Sequence, residues 1–177
     1  MNRRTVIKNF LVFSAGAALI PSCMHEESKS SILLKNIKID GDQEKMMAEL
    51  AETIIPKTNT PGAKDLSSHL FVLMMVDDCY TKADQEKFMN GMEQFEAFAK
   101  KNYGNPFLKC TPAQKTELLK KLEDKKDVTD EITAFYSTTK RLTIQSFTSS
   151  KYFLTNVQVY EMIPGRFHGC VPVKNNS

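Results

Sequence analysis

From Asp40 onward the chain is divided by capping and stop signals into segments of helical period, and this punctuation constrains the fold more than any other feature. Asp40 with Gln43 three residues later makes a capping box, and Met46, Met47, Leu50, Ala51, Ile54 and Ile55 follow at helical spacing until Pro56 stops the run. Lys57 to Ala63 is a polar loop with Pro61-Gly62 as its turn signal. Leu66 to Tyr80 predicts a second helix, and its middle, Leu70 to Val76, is apolar all round, so it is expected at the buried centre of the domain. Thr81 with Asp84 caps a third helix that carries Phe88, Met92, Phe95 and Ala99 on one face and ends at Asn102 to Pro106.

Thr111-Pro112-Ala113-Gln114 is the strongest local signal: Thr as N-cap, Pro at the first helical position, where its missing N–H costs nothing, and Gln to bond back. The fourth helix runs from there through Leu118, Leu119 and Leu122. Asp127 and Asp130 open a fifth, with Ile132, Phe135, Tyr136, Thr139, Leu142 and Thr143 on its buried side. From Ser149 to Pro172 aromatic and β-branched residues take over, followed by Pro164-Gly165 and Gly169, which predicts an extended segment laid across the helices. The expected fold is all-α: residues 40–177 form a small helical domain of about five helices with a long, largely irregular C-terminal arm.

The first 22 residues read as a signal peptide. A basic start is followed by the eleven-residue apolar stretch Phe10 to Ile20, too short for a membrane span, which takes about 20 residues. Within it Asn2-Arg3-Arg4-Thr5-Val6-Ile7-Lys8 resembles the twin-arginine export signal, with Arg3 and Arg4 as the pair that the translocase reads. Cys23 stands where a lipoprotein signal peptidase would cut and a diacylglycerol would be attached, and multiple acyl chains anchor a protein stably. Residues 23–39 are expected as the lipidated cysteine and a flexible tether. The formal charge of +3 comes from Arg3, Arg4 and Lys8; without them 21 basic residues face 21 acidic ones, so bulk charge offers nothing to nucleic acid.

Absences narrow the chemistry further. The seven glycines never space as G-x-G-x-x-G or G-x-x-x-x-G-K, and the four cysteines never form C-x-x-C or C-x-x-C-H. No flavin, haem, nicotinamide or metal site is therefore expected on this chain. His69, ahead of an apolar run, reads as a packed and hydrogen-bonded histidine. Asp77 and Asp78 read as solvated carboxylates at a helix end, with a general acid and base pair as the sharper alternative. Cys79, Cys110 and Cys170 permit at most one internal disulfide, and His168-Gly169-Cys170 supplies two of the ligands a metal would need.

Taken together, Ile54-Ile55-Pro56-Lys57-Thr58-Asn59-Thr60-Pro61-Gly62-Ala63, Tyr152 to Tyr160 and Ile163-Pro164-Gly165-Arg166-Phe167-His168-Gly169-Cys170, behind a twin-arginine lipoprotein-like front, resemble the small subunit of membrane-bound gluconate 2-dehydrogenase, the subunit 3 family. The family pattern I-I-P-x-T-x-T-P-G-A is kept in the loop, and Y-x-x-x-P-G-x-[YF]-x-G-C fits Tyr160 to Cys170.

The resemblance implies a non-catalytic small subunit without a cofactor, paired with a large FAD-dependent dehydrogenase subunit of the glucose-methanol-choline type. A cytochrome c subunit or a quinone would take the electrons. It implies that this chain stabilises the flavoprotein and escorts it, already folded and loaded with FAD, through the twin-arginine translocase to the cell envelope, lipid-anchored on the periplasmic side or at the outer membrane. The expected partner contacts are Pro56, Thr60, Pro61 and Gly62 in the loop, and Tyr160, Pro164, Gly165, Arg166 and Phe167 in the arm, where prolines and glycines fix backbone shapes and Arg and aromatic side chains serve as anchors. A free-standing envelope lipoprotein that binds a ligand or another envelope component is the reading from a different class.

Overall fold

A computed structural model of the protein describes residues 29–125, 128–158, 165 and 170. Among these the structure is all-α: α1 Gly41–Ile54, α2 Ser68–Cys79, α3 Lys82–Tyr103, α4 Pro112–Glu123 and α5 Asp130–Thr148, with a 3-10 turn at Phe107–Lys109 and a π-helical turn at Phe153–Val157.

The starts of α1, α3, α4 and α5 follow the capping chemistry, whereas α2 begins after a left-handed Ser67 that makes no side-chain cap bond. The Asp40 side chain accepts from the N–H groups of Asp42 at 2.8 Å and Gln43 at 2.7 Å, while the Gln43 side chain accepts from the Asp40 N–H at 3.0 Å. Thr111 and Gln114 close the same reciprocal box at the start of α4, with Pro112 at its first position. These pairs satisfy N–H groups that an uncapped first turn leaves bare. The fifth helix departs from expectation: its cap is Thr129, whose hydroxyl accepts from the Ile132 N–H at 3.3 Å, and Asp130 is already inside the helix. Asp127 lies outside the described residues. At the far end of α3, Gly104 takes the left-handed conformation, φ 70°, and its N–H bonds the Lys100 carbonyl at 2.8 Å.

The centre of the core is the crossing of α3 and α5. A Cβ on Gly91 would stand 2.5 Å from the Glu131 carbonyl oxygen and 2.6 Å from the Phe135 Cβ, so the missing side chain is what lets the two helices touch. Around this point the Phe88 and Phe135 rings lie 5.0 Å apart, Phe95 and Phe107 5.0 Å, and Phe95 and Phe135 5.6 Å, all tilted as aromatic pairs prefer. Ile132, Phe135, Tyr136, Thr139, Leu142 and Thr143 are the buried face of α5, as the spacing predicts.

The second helix is a correction. Although α2 is apolar all round, only Val72, Leu73 and Val76 of its apolar middle are fully covered, and Met74 is 44% exposed. It packs on α1, α5 and the start of α3, which leaves Leu70, Phe71 and Met75 half-buried and Met74, Asp78 and Cys79 exposed. Uniform hydrophobicity says that a helix lacks a polar face; which part is covered depends on its neighbours.

The tail is a second correction. Past α5 the chain remains helical through Val157 and does not extend from Ser149. The Ser149 hydroxyl bonds the Gln145 carbonyl at 2.8 Å and the Ser150 hydroxyl bonds that of Phe147 at 2.7 Å. Thr155 and Asn156 side chains reach the carbonyls of Lys151 and Tyr152 at 2.8 and 3.0 Å. These local bonds satisfy a loosened turn despite its β-branched composition, and Phe153 meets Phe147 with ring centroids 6.0 Å apart.

The stretch ahead of α1 is packed where a tether was expected. Ile37 is 5% exposed and belongs to the core, and Ile32, Leu34 and Ile39 pack against it. The organising group is Asp77. One carboxylate oxygen accepts from the Asn36 and Ile37 N–H groups at 2.7 and 2.8 Å, and the other from Lys35 at 2.8 Å. Asp77 is therefore a buried clamp and neither a solvated helix end nor half of an acid and base pair with Asp78, which is exposed. Burial alone would raise its pKa, but the three backbone donors outweigh that and hold the carboxyl below the ordinary aspartate range.

Candidate functional site

The loop between α1 and α2 is built around one carboxylate. Glu52, in the last turn of α1, accepts from the Lys57 N–H at 2.8 Å with one oxygen and from the Lys64 N–H at 2.9 Å with the other. Gly62 lies against this carboxylate so closely that a Cβ would meet its two oxygens at 2.4 and 2.5 Å and the Lys57 nitrogen at 2.7 Å. The Ala63 N–H bonds the Ile55 carbonyl at 2.9 Å, the Ser68 N–H bonds the Ala63 carbonyl at 2.9 Å, and the Thr58 N–H bonds the Thr60 carbonyl at 3.0 Å. The loop is thus closed on itself by its own backbone and by a side chain from the preceding helix. Loops held this way present a defined surface.

Charged side chains brace it from both sides. Lys57 pairs with Asp65 at 3.0 Å, and Asp65 also accepts from the Gly62 N–H at 3.3 Å. The Lys57 hydrogen bond and then the Gly62 N–H keep the Asp65 carboxyl below its ordinary range. Across a groove of about 220 Å³, lined by Glu49, Glu52, Pro56, Pro112 and Lys115 among others, the Lys115 ammonium bonds Glu49 at 2.8 Å. That bond, more than any other influence, holds the Glu49 carboxyl below its ordinary range. Lys64 reaches the other Glu49 oxygen at 3.4 Å, and Lys115 also lies 5.5 Å above the Phe107 ring.

Each carboxylate here is committed to N–H groups or ammonium groups, so the arrangement supplies shape and fixed charge. Pro56 and Thr60 are exposed, Pro61 is half-buried and Gly62 is buried, which makes Gly62 a framework residue under the surface that the other three display. Gly165 is exposed. Tyr160, Pro164, Arg166 and Phe167 lie outside the described residues, as do Arg3, Arg4, Cys23 and His168. Glu52 and Glu49 escaped the sequence reading, because a glutamate near a helix end is ordinary and only the folded loop shows what it holds. Asp77 is a clamp where a solvated helix end was expected; the nearest sequence signal is the cluster of apolar residues Ile32, Leu34, Ile37 and Ile39, which does not keep one strict period.

His69 is buried, as expected of a packed histidine, but its Nδ1 has no hydrogen-bond partner among the described residues. Burial lowers its pKa, Glu44 opposes this and Lys64 adds to it. Cys79, Cys110 and Cys170 are unbridged, and burial pushes the Cys110 thiol up. Among the described residues no three His, Cys, Asp or Glu side chains are grouped to hold a metal ion, and no helix is long and apolar enough to cross a membrane.

No curated protein and no solved structure matches the chain. A family model, Gluconate 2-dehydrogenase subunit 3, matches residues 41–165, from the first turn of α1 to the glycine of the arm. That span takes in every α-helix among the described residues and the whole Glu52 loop, and the chain accordingly belongs to the gluconate 2-dehydrogenase subunit 3 family.

Proposed function

We propose that this protein is the non-catalytic small subunit of a heteromeric FAD-dependent dehydrogenase of the glucose-methanol-choline type, and that it stabilises the flavoprotein and escorts it through twin-arginine export. The observation that carries the reading is the family match over residues 41–165 on a chain that begins with the Arg3-Arg4 pattern. Flavin chemistry and the substrate site belong to the large subunit, which holds FAD; a cytochrome c or quinone takes the electrons. A flavoprotein acquires its cofactor in the cytoplasm, so a folded-protein route with the signal on one partner suits such a complex.

The braced loop supports an interface role. Pro56, Thr60 and Pro61 are displayed on a backbone held by Glu52, and a surface fixed before binding loses less entropy on docking. The arm residues Tyr160, Pro164, Gly165, Arg166 and Phe167 complete the proposed contact, and Cys23 anchors the complex to the envelope membrane.

Three variants test the parts. Arg3→Lys with Arg4→Lys should strand this chain and its flavoprotein in the cytoplasm, because the translocase reads the guanidinium pair and charge alone does not replace it. A partner that still reaches the envelope removes the escort role. Cys23→Ala should release a folded, soluble complex, and Arg166→Ala with Phe167→Ala should abolish co-purification while the subunit stays helical. A flavoprotein that never co-purifies with the native chain returns the reading to a free-standing lipoprotein.

A further inference from the structure

Residues 29–39 form a strap across the helices with two different sides. Ile32, Leu34, Ile37 and Ile39 turn toward the core, while Leu33, Lys35 and Lys38 turn out. The strap is pinned near both ends: Asp77 takes the N–H groups of Lys35, Asn36 and Ile37, and Glu44 takes the Ser31 N–H at 2.6 Å together with its hydroxyl. Leu33 is thus held outward, 98% exposed, on a fixed support.

The charge carried by the strap itself has one sign. Lys29, Lys35 and Lys38 flank Leu33, and no acidic residue occurs from position 28 to 39. Lys29, Leu33 and Lys38 line one depression with Asp40 at its edge, and Lys35 stands 3.8 Å from Asp78 with most of its side chain in solvent, so the three lysines outnumber the two nearby aspartates. A displayed leucine with a net excess of lysines beside it matches the boundary between anionic headgroups and acyl chains. Lys29 comes six positions after Cys23, and at about 3.5 Å per residue the start of the strap can lie no more than about 21 Å from the anchored cysteine.

We infer that the outer side of this strap, Leu33 with Lys29, Lys35 and Lys38, is a membrane-contact surface that enters an anionic phospholipid bilayer and fixes how the helical domain sits over it. The inference rests on the proposed lipid anchor at Cys23. The anchor sets the distance, and the pinned strap sets the orientation.

The protein contains no tryptophan, which provides a clean probe. Leu33→Trp, and Leu108→Trp on the 3-10 turn as a reference, are introduced into the acylated chain and reconstituted into vesicles of phosphatidylethanolamine and phosphatidylglycerol, with and without brominated acyl chains. The Leu33→Trp emission should shift to the blue and be quenched by the brominated lipid, and the Leu108→Trp emission should do neither. Equal quenching at the two positions, or solvent-exposed emission from the vesicle-bound Leu33→Trp chain, overturns the inference while the anchor stands. If the strap meets a protein instead, the shift appears only when the flavoprotein is added, which overturns it too. Mass analysis of Cys23 separates the two claims: an unacylated chain that is still quenched keeps the contact surface and sinks the anchor, and one that is neither acylated nor quenched sinks both.

Discussion

The Glu52 carboxylate fills the space beside Gly62 that a side chain would need, with 2.4 Å between one of its oxygens and an added Cβ. One glutamate thereby explains why the turn after Pro61 carries a glycine, and it links the end of α1 to both sides of the loop through Lys57 and Lys64.

Gly62→Ala should lower stability by about 1–3 kcal/mol, the usual cost of forcing a methyl group into filled space. The Glu52 side chain can move, but the Lys57 backbone nitrogen at 2.7 Å cannot without opening the loop. Chemical denaturation checks this, and an unchanged midpoint would show that the loop adjusts freely.

Gly91→Ala tests the α3–α5 crossing by the same logic and should be at least as costly, because its nearest obstacle is the Glu131 backbone carbonyl at 2.5 Å. The expected signature is a lower melting temperature with retained helical circular dichroism. A variant as stable as the parent would mean that the helices can separate at no cost.

Asp77→Asn should free the strap. Asparagine keeps one acceptor oxygen where two now serve Lys35, Asn36 and Ile37, and hydrogen bonds to a charged group contribute about 1.5–3 kcal/mol each. Amide exchange at residues 35–37 should accelerate while the α3 and α5 amides keep their protection. The acid dependence follows from the lowered carboxyl: its stabilisation is complete above the unfolded value of about 3.9 and is lost as pH falls through the folded value. Strap release at neutral pH in the unsubstituted protein would contradict this.

His69 sets a milder acid sensitivity. Its folded pKa lies below the unfolded value of about 6.5, so as pH falls the unfolded chain takes up the proton first. Stability is complete above about 6.5 and declines as pH drops toward the folded value. His69→Leu should remove this part of the pH profile and, since Nδ1 has no partner among the described residues, leave neutral-pH stability level or improved. An identical profile in the variant would assign the sensitivity to other groups.

The sequence by itself determined where the five α-helices lie, to within a few residues, and which faces α1, α3, α4 and α5 bury. Capping boxes at Asp40–Gln43 and Thr111–Gln114, the stop at Pro56 and the apolar spacing of α3 and α5 are local: they involve residues three or four apart, and their chemistry is complete within one turn. The family loop was legible for the same reason, as a contiguous run.

Tertiary structure decided what depends on residues far apart in the chain. Whether Asp77 is solvated or clamps a strap 40 residues earlier, whether α2 is enclosed or half open, and what occupies the space beside Gly62 are set by which surfaces meet. A carboxylate on a helix looks alike in sequence whether it faces water or three amide groups, and only the folded chain brings those donors to it. The free energy that distinguishes the two settings comes from desolvation and hydrogen bonding across the fold, for which no local pattern is a guide.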